Sequence, residues 1–453
     1  MLSIRLKDKK GKYYFLVLSL LIFIYYLRQN YFVSYYDESG YINVSRNILN
    51  LGLLNINEPL RTYFYPLIIS CVSIFTNGNM EVIKTIMSVL QFVVYTYTIL
   101  TIAEKTHLLI DSKVGYYLIL GFGLLNPYLI QSTTLLLTDV LASCCIVLSL
   151  IKLVFGDFNK LLTYFWVIAL AYIAVMIRPA SLILVPIIIV LLIIRTLILK
   201  DVSILKACLI SIISLIIFFP QLYNNVKQFD NWTPLVNTNL YEFQSNLATK
   251  NLKYGTVIIN NEEPGMFFVS PHPVNESVKG MYDLIYKDFP GFLIVYSSHL
   301  FGVLDWGYVD TYITDYYPPS RVISSLFLYM YWITAFYGLY TIFRNKQPNK
   351  QQIYFIISFI GSFLFYWAFI GTTIIESRFG YPLFMLLLPF VGWGAKNAYN
   401  NIRSGTNSFN YKRCIQYVLI CLIFMALALY ISFLIDYQTG RINWLEFLMK
   451  RGG

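Results

Sequence analysis

Long, nearly uncharged apolar blocks recur along this chain, among them Tyr13 to Leu27, Leu182 to Ile194 and Ile415 to Leu434, and they restrict what it can fold into. Helical stretches near 20 residues match a bilayer core of about 30 Å, where every backbone polar group must be satisfied within the segment. Only 13% of the 453 residues are charged and 57% are hydrophobic, whereas soluble domains carry about 25% charged residues. The expected fold class is therefore an all-α polytopic membrane protein.

A net charge of +11 does not point to nucleic acid, because the basic residues form no patch and instead punctuate the apolar blocks. That is the pattern of cytoplasmic loops. Six cysteines, Cys71, Cys144, Cys145, Cys208, Cys414 and Cys421, lie in or beside apolar segments and offer neither a disulfide framework nor a metal spacing. The basic N-terminus "MLSIRLKDKKGKYY" is followed by an apolar run without a small-residue cleavage site, which reads as a retained first span.

Arg5, Lys7, Lys9, Lys10 and Lys12 place the N-terminus in the cytoplasm, so Asp37 and Glu38 emerge on the opposite side. Further spans are expected at roughly 82–103, 114–130, 138–155, 161–177, 181–199, 205–222, 321–343, 351–372, 380–395 and 415–434, about eleven in all. The stretch Arg61 to Thr76 is apolar but short. If it crossed, every later basic loop would be inverted, so it is expected to lie at the interface or to re-enter. The resulting organisation is an N-terminal transmembrane catalytic module at 1–222 with its first outer loop at 30–81, an extracytoplasmic region at 223–320, and C-terminal helices at 321–453. A connection as long as 223–320 is seldom plain loop. The N-x-S/T triplets at Asn43, Asn231 and Asn275 carry little weight.

Behind the first span, Asn43, Arg46, Asn47 and Asn50 repeat at helical spacing, with Tyr41, Val44, Ile48 and Leu51 on another face and Gly52 as a stop. Glu38 to Leu51 reads as an amphipathic helix on the outer surface. Asp37 could cap that helix or act as a base. "LLLTDVLA", "VMIRPASL" and "TTIIESRFGYPLF" put Asp139, Arg178, Glu376 and Arg378 near the outer ends of other spans. Ionisable groups at membrane depth are costly unless paired or functional. Capping, snorkelling or mutual pairing would explain each alone, but together with Asp37 they define a candidate site on one side of the membrane.

In these motifs the chain resembles the GT-C superfamily of membrane glycosyltransferases, in the branch with protein O-mannosyltransferases, lipid A aminoarabinose transferases and Rgt-type sugar transferases. The matching features are the Asp37-Glu38 pair, the surface helix, the Tyr65-Pro66 element of "YFYPLII", Thr138-Asp139 and Arg178-Pro179. "FFPQLYNNVKQFDNWTPLVNTNL" and "ESRFGYPLFMLLLPFVGWG" continue the likeness in order along the chain. The familiar Pro-Pro is Tyr65-Pro66 here and the lysine that often precedes it is absent, leaving Arg61 as the nearest cation.

The resemblance implies transfer of a sugar from a polyprenyl-phosphate donor to an extracytoplasmic glycan, lipid or protein acceptor, in a bacterial plasma membrane. On that basis Asp37 is the expected base, with Glu38 and Asp139 orienting it or the acceptor. Arg378, then Arg178 and Arg61, would contact the donor phosphate, and Tyr65 and Pro66 would line the substrate groove. No cofactor is expected; Asp37, Glu38 and Asp139 could form an oxygen site for a divalent metal, but nothing in their spacing requires it. A polysaccharide polymerase or ligase using a diphosphate-linked donor would place cations in a large late outer loop, whereas Tyr223 to Ser320 holds five lysines and no arginine. A transporter would show paired halves, and no such symmetry is present.

Overall fold

A computed structural model describes residues 10–31, 36–258, 265–305, 313–314, 318–344, 348–403 and 411–438. The basic residues Arg5, Lys7 and Lys9 lie outside them. In chain order the elements begin with α1 (Lys10–Asn30), α2 (Tyr36–Leu51), α3 (Phe64–Phe75), α4 (Met80–Ile110), α5 (Lys113–Leu124) and α6 (Pro127–Thr133). They continue with α7 (Asp139–Phe155), α8 (Leu161–Ile177), α9 (Leu184–Ile198), α10 (Ile204–Ser214), α11 (Phe219–Phe229) and α12 (Leu240–Lys250). The strands β1 (Asn251–Ile258) and β2 (Gly265–Val269) precede α13 (Met281–Lys287), α14 (Phe289–Gly302) and β3 (Ile313–Thr314). The last helices are α15 (Pro318–Arg344), α16 (Lys350–Ile370), α17 (Tyr381–Ile402) and α18 (Tyr411–Gln438).

Among the described residues, seven helical segments are long and apolar enough to cross a membrane: Gly11–Asn30, Met80–Ile110, Pro179–Ile198, Ile204–Phe229, Ser325–Arg344, Lys350–Ile370 and Tyr411–Leu434. Phe64–Phe75, Lys113–Leu124 and Leu161–Ile177 are apolar but shorter. The protein is an integral membrane protein, and the expected count of eleven full spans is not reproduced. One reason is local. The stretch 114–130 is two helices, because Pro127 brings no N–H and Asn126 caps a new start, its Oδ1 accepting from Leu129 N at 3.2 Å. The twelve residues of α3 rise about 18 Å, well short of a bilayer core.

The chain divides into two compact units, one drawn from 1–238, 334–363 and 384–410, the other from 239–333, 364–383 and 411–453. In the first, α7 is buried along nearly its whole length and packs on α4 and α8. Glycine makes the tightest seam: a β-carbon on Gly338 would meet Phe390 O, and one on Gly394 would meet Thr334 O, so α15 and α17 touch backbone to backbone. Small residues serve this purpose in membranes, where lipid tails leave little hydrophobic drive between helices. At the end of α9, Arg195 is buried and paired with Asp201 at 2.5 Å, while its guanidinium also donates to Leu153 O, Val154 O and Gly156 O at the C-terminal end of α7.

The second unit has a small sheet in the order β2-β1-β3, with β1 antiparallel to β2 and parallel to β3. Its apolar core joins Ala248 of α12, Val278, Met281 and Leu284 around α13, and Val295 of α14.

Candidate functional site

The candidate site in the first unit is built as a closed circuit of polar contacts. Asp37, in the first turn of α2, accepts an ion pair from Arg61 Nη2 at 3.6 Å. Arg61 also lies 5.2 Å from the Tyr41 ring and 4.0 Å from Glu58 Oε1. Gly40 makes this possible, since a β-carbon there would collide with the guanidinium. The next residue, Thr62, donates from Oγ1 to Met176 O at 2.6 Å near the end of α8. Two residues on, Arg178 pairs with Asp139 Oδ1 at the start of α7. The turn entering α7 returns to α2, because Leu136 N donates to Glu38 Oε1 at 2.8 Å. Glu38 Oε2 is meanwhile 3.0 Å from Lys84 Nζ, and both groups are buried.

Several sequence features find their cause here. Tyr36 is already helical, so Asp37 lies within the helix rather than at its cap. The amphipathic face of α2 buries Val44 and Ile48 against Ile56, Tyr63, Tyr172, Val175, Met176 and Phe218. The amides of "FPQLYNN" are structural: Gln221 Oε1 accepts from Tyr63 N at 3.1 Å, and Asn224 bridges Ile56 N and Leu53 O. Asn225 Nδ2 donates to Thr233 O and Leu235 O. Gln221 and Asn224 hold the irregular chain before α3, and thereby Arg61, against α11, while Asn225 ties down the turn that follows α11.

Flanking Arg178 along the chain, Tyr172 and Leu182 line an apolar groove of about 820 Å³, completed chiefly by Val185, Leu215, Phe218 and Leu222.

Expected site residues fall into three groups. Asp37, Glu38, Asp139, Arg61 and Arg178 enter the circuit. Tyr65 and Pro66, expected along a groove, are instead buried in the packing of α3, where Tyr65 Oη donates to Gln91 Oε1 at 3.3 Å and its ring meets Tyr41 edge-on. Arg378 belongs to the second unit, where its Nε donates to Glu376 Oε2 at 2.7 Å and it lies 5.9 Å from the Phe379 ring. Among the described residues no group of three His, Cys, Asp or Glu side chains gathers as metal ligands. Of the three acids considered for an oxygen site, Glu38 faces Lys84 and Asp139 faces Arg178.

The fold is similar to that of the Archaeoglobus fulgidus oligosaccharyltransferase in its apo form, with a TM-score of 0.51 and 12% identity over 96% of this chain and 56% of that one. The chain has the GT-C fold. It spans little more than half the length of that oligosaccharyltransferase. ArnT from Cupriavidus metallidurans bound to undecaprenyl phosphate is also similar, with a TM-score of 0.49 and 12% identity over 94% of this chain and 72% of that one. No family model matches the sequence, and no curated protein is found similar to it. The residue that sequence reasoning missed is Lys84. Its signal was available: a lysine one turn inside an otherwise apolar span needs an anionic partner.

Proposed function

We propose that this protein is a membrane glycosyltransferase that moves a sugar from a polyprenyl-phosphate donor to an extracytoplasmic acceptor by single inverting displacement. The observation that carries the reading is the polar circuit around Asp37 beside an apolar groove, on a GT-C fold. Asp37 is the base: partly exposed, on a short surface helix, and held by Arg61. It takes the proton of the acceptor hydroxyl or amine as that group attacks the anomeric carbon. The leaving phosphate departs as an anion, so cations serve it better than a general acid would. Arg378 is the proposed phosphate contact, with Arg178 second, because a guanidinium fork meets phosphate oxygens bidentately. The groove beside Tyr172 and Leu182 suits a stretch of the isoprenoid chain.

Glu38 is assigned a different task from Asp37. Bound on one oxygen by Lys84 and on the other by the Leu136 amide, it fixes α2 to the turn that presents Asp139. The reading carries with it a bacterial plasma membrane with the site on the outer face. Identity of the sugar and acceptor would come from lipid-linked sugars that accumulate in a deletion strain, identified by mass spectrometry.

The test is sugar transfer by the purified full chain from polyprenyl-phosphate donors. Asp37→Asn keeps the shape and removes the proton acceptor, so turnover should fall by about a hundredfold or more while thermal stability changes little. A well-folded Asp37→Asn protein with near-wild-type turnover would make Asp37 only the partner of Arg61 and refute the assignment.

A further inference from the structure

Within the second unit, the irregular segment 371–376 leads from α16 to the Glu376–Arg378 pair, and α12, β1 and α14 hold it at successive points. Tyr241 Oη donates to Thr372 Oγ1 at 3.2 Å. Ile374 N donates to Gln244 O and Ile375 N to Leu252 O, each at 3.3 Å. Lys253 and Ile375 form an isolated parallel bridge, so the chain just before Glu376 runs alongside the start of β1. His299, fully buried on α14, lies between both chains, with Nδ1 3.0 Å from Gly371 O and Nε2 3.2 Å from Asn251 O; the neutral ring donates to one of these carbonyls and packs against the other.

The start of β1 is itself anchored from its other side. Lys253 is buried, its Nζ donating to Asp305 O at 3.1 Å and lying 3.6 Å from Asp305 Oδ2. Asp305 in turn accepts from Tyr329 Oη at 2.8 Å and Ser432 Oγ at 2.6 Å. A buried ammonium is retained where a carboxylate and further hydrogen bonds compensate its lost hydration. None of these groups enters the circuit around Asp37. Their geometry converges on the backbone that carries Arg378.

We propose that Lys253 and His299 are positioning residues for the donor-phosphate contact: they hold β1 and the 371–376 segment as one clamp, and the clamp aims Arg378. This rests on the reading of Arg378 as a phosphate ligand. A planar guanidinium binds phosphate through a fork of fixed geometry, so a drift of about half an ångström in its support weakens binding. The clamp would thus act on donor affinity and leave the proton-transfer step at Asp37 alone.

The experiment uses the full chain in lipid nanodiscs, with Lys253→Met, Lys253→Arg and Tyr241→Phe. Hydrogen exchange across 371–380 reads the clamp directly, and binding of undecaprenyl phosphate reads its consequence. Lys253→Met should speed exchange at Ile374 and Ile375, weaken undecaprenyl phosphate binding about tenfold, as for one misdirected charge-assisted bond, and leave kcat within about threefold. Lys253→Arg should restore most of both. If Lys253→Met does not fold, Tyr241→Phe, which removes only an exposed hydroxyl contact, should still speed exchange at 372–375. Unchanged exchange in the folded variants, or faster exchange with unchanged undecaprenyl phosphate affinity, overturns the proposal. Failure of the unsubstituted protein to bind any polyprenyl phosphate would instead overturn the glycosyl-transfer reading, and it would be seen before a variant is made.

Discussion

At the scale of single residues, adjacent acids in one helical turn have been given opposite environments. Asp37 keeps part of its surface and a loose partner, whereas Glu38 is sealed between Lys84 and the Leu136 amide. Removing one member of a buried pair leaves an uncompensated charge, so Lys84→Met should destabilise the protein by roughly 3–5 kcal/mol. The double variant Glu38→Gln, Lys84→Met should recover part of that loss, as read from thermal melting in detergent; a cost for the double equal to the sum of the singles would show that the pair is not coupled. Arg378 offers a complementary test. Arg378→Lys keeps the charge and loses the fork, so donor affinity should fall more than stability does. Equal donor binding by the lysine variant would reduce Arg378 to the partner of Glu376.

At the scale of elements, helix seams decide what can be substituted. Gly338 and Gly394 let α15 and α17 meet backbone to backbone, and Gly338→Leu should force them apart. We expect destabilisation of about 1–3 kcal/mol or more, the range for overpacking, with Gly361→Leu as a control at a position where a β-carbon meets nothing within 4 Å. Equal melting of the two variants would contradict the seam. Legibility also varies by element. The surface helix was readable because Val44 and Ile48 alternate with Asn43, Arg46 and Asn47 at a helical period that survives into the packed cluster. The break at Asn126-Pro127 was written in the sequence as a cap and a proline, but uniform hydrophobicity on both sides masked it. The circuit was half readable: Asp37, Asp139 and Arg178 stand out as charges in apolar surroundings. That Arg61 answers Asp37, and Lys84 answers Glu38, depends on how α2, α3 and α4 fold back, which no local pattern encodes. Tyr65 and Pro66 misled for a related reason, because a motif names residues without saying which way they face.

At the scale of the whole molecule, the distribution of basic residues still argues for an N-terminus inside and an outer first loop. In a cysteine-free background, a membrane-impermeant thiol reagent applied from outside should modify Ser39→Cys and Ser277→Cys and spare Lys113→Cys. Modification at position 113 would mean that α3 crosses and that the later loops are inverted. The two units are interleaved along the chain, and this has a consequence for biogenesis. The first unit is not complete at residue 238; it also needs 334–363 and 384–410. Gly115 packs against Gly392 O, a partner encoded 277 codons later. At about 5–20 residues per second a ribosome takes on the order of tens of seconds to cover that distance. Throughout that interval the early helices wait in the membrane with a seam unfilled, dependent on lipid or on the insertion machinery to occupy it. Parts of α15, α16 and α17 therefore act as the closing stone of the chain's opening half, and a message cut short before they are made forfeits the early half as well.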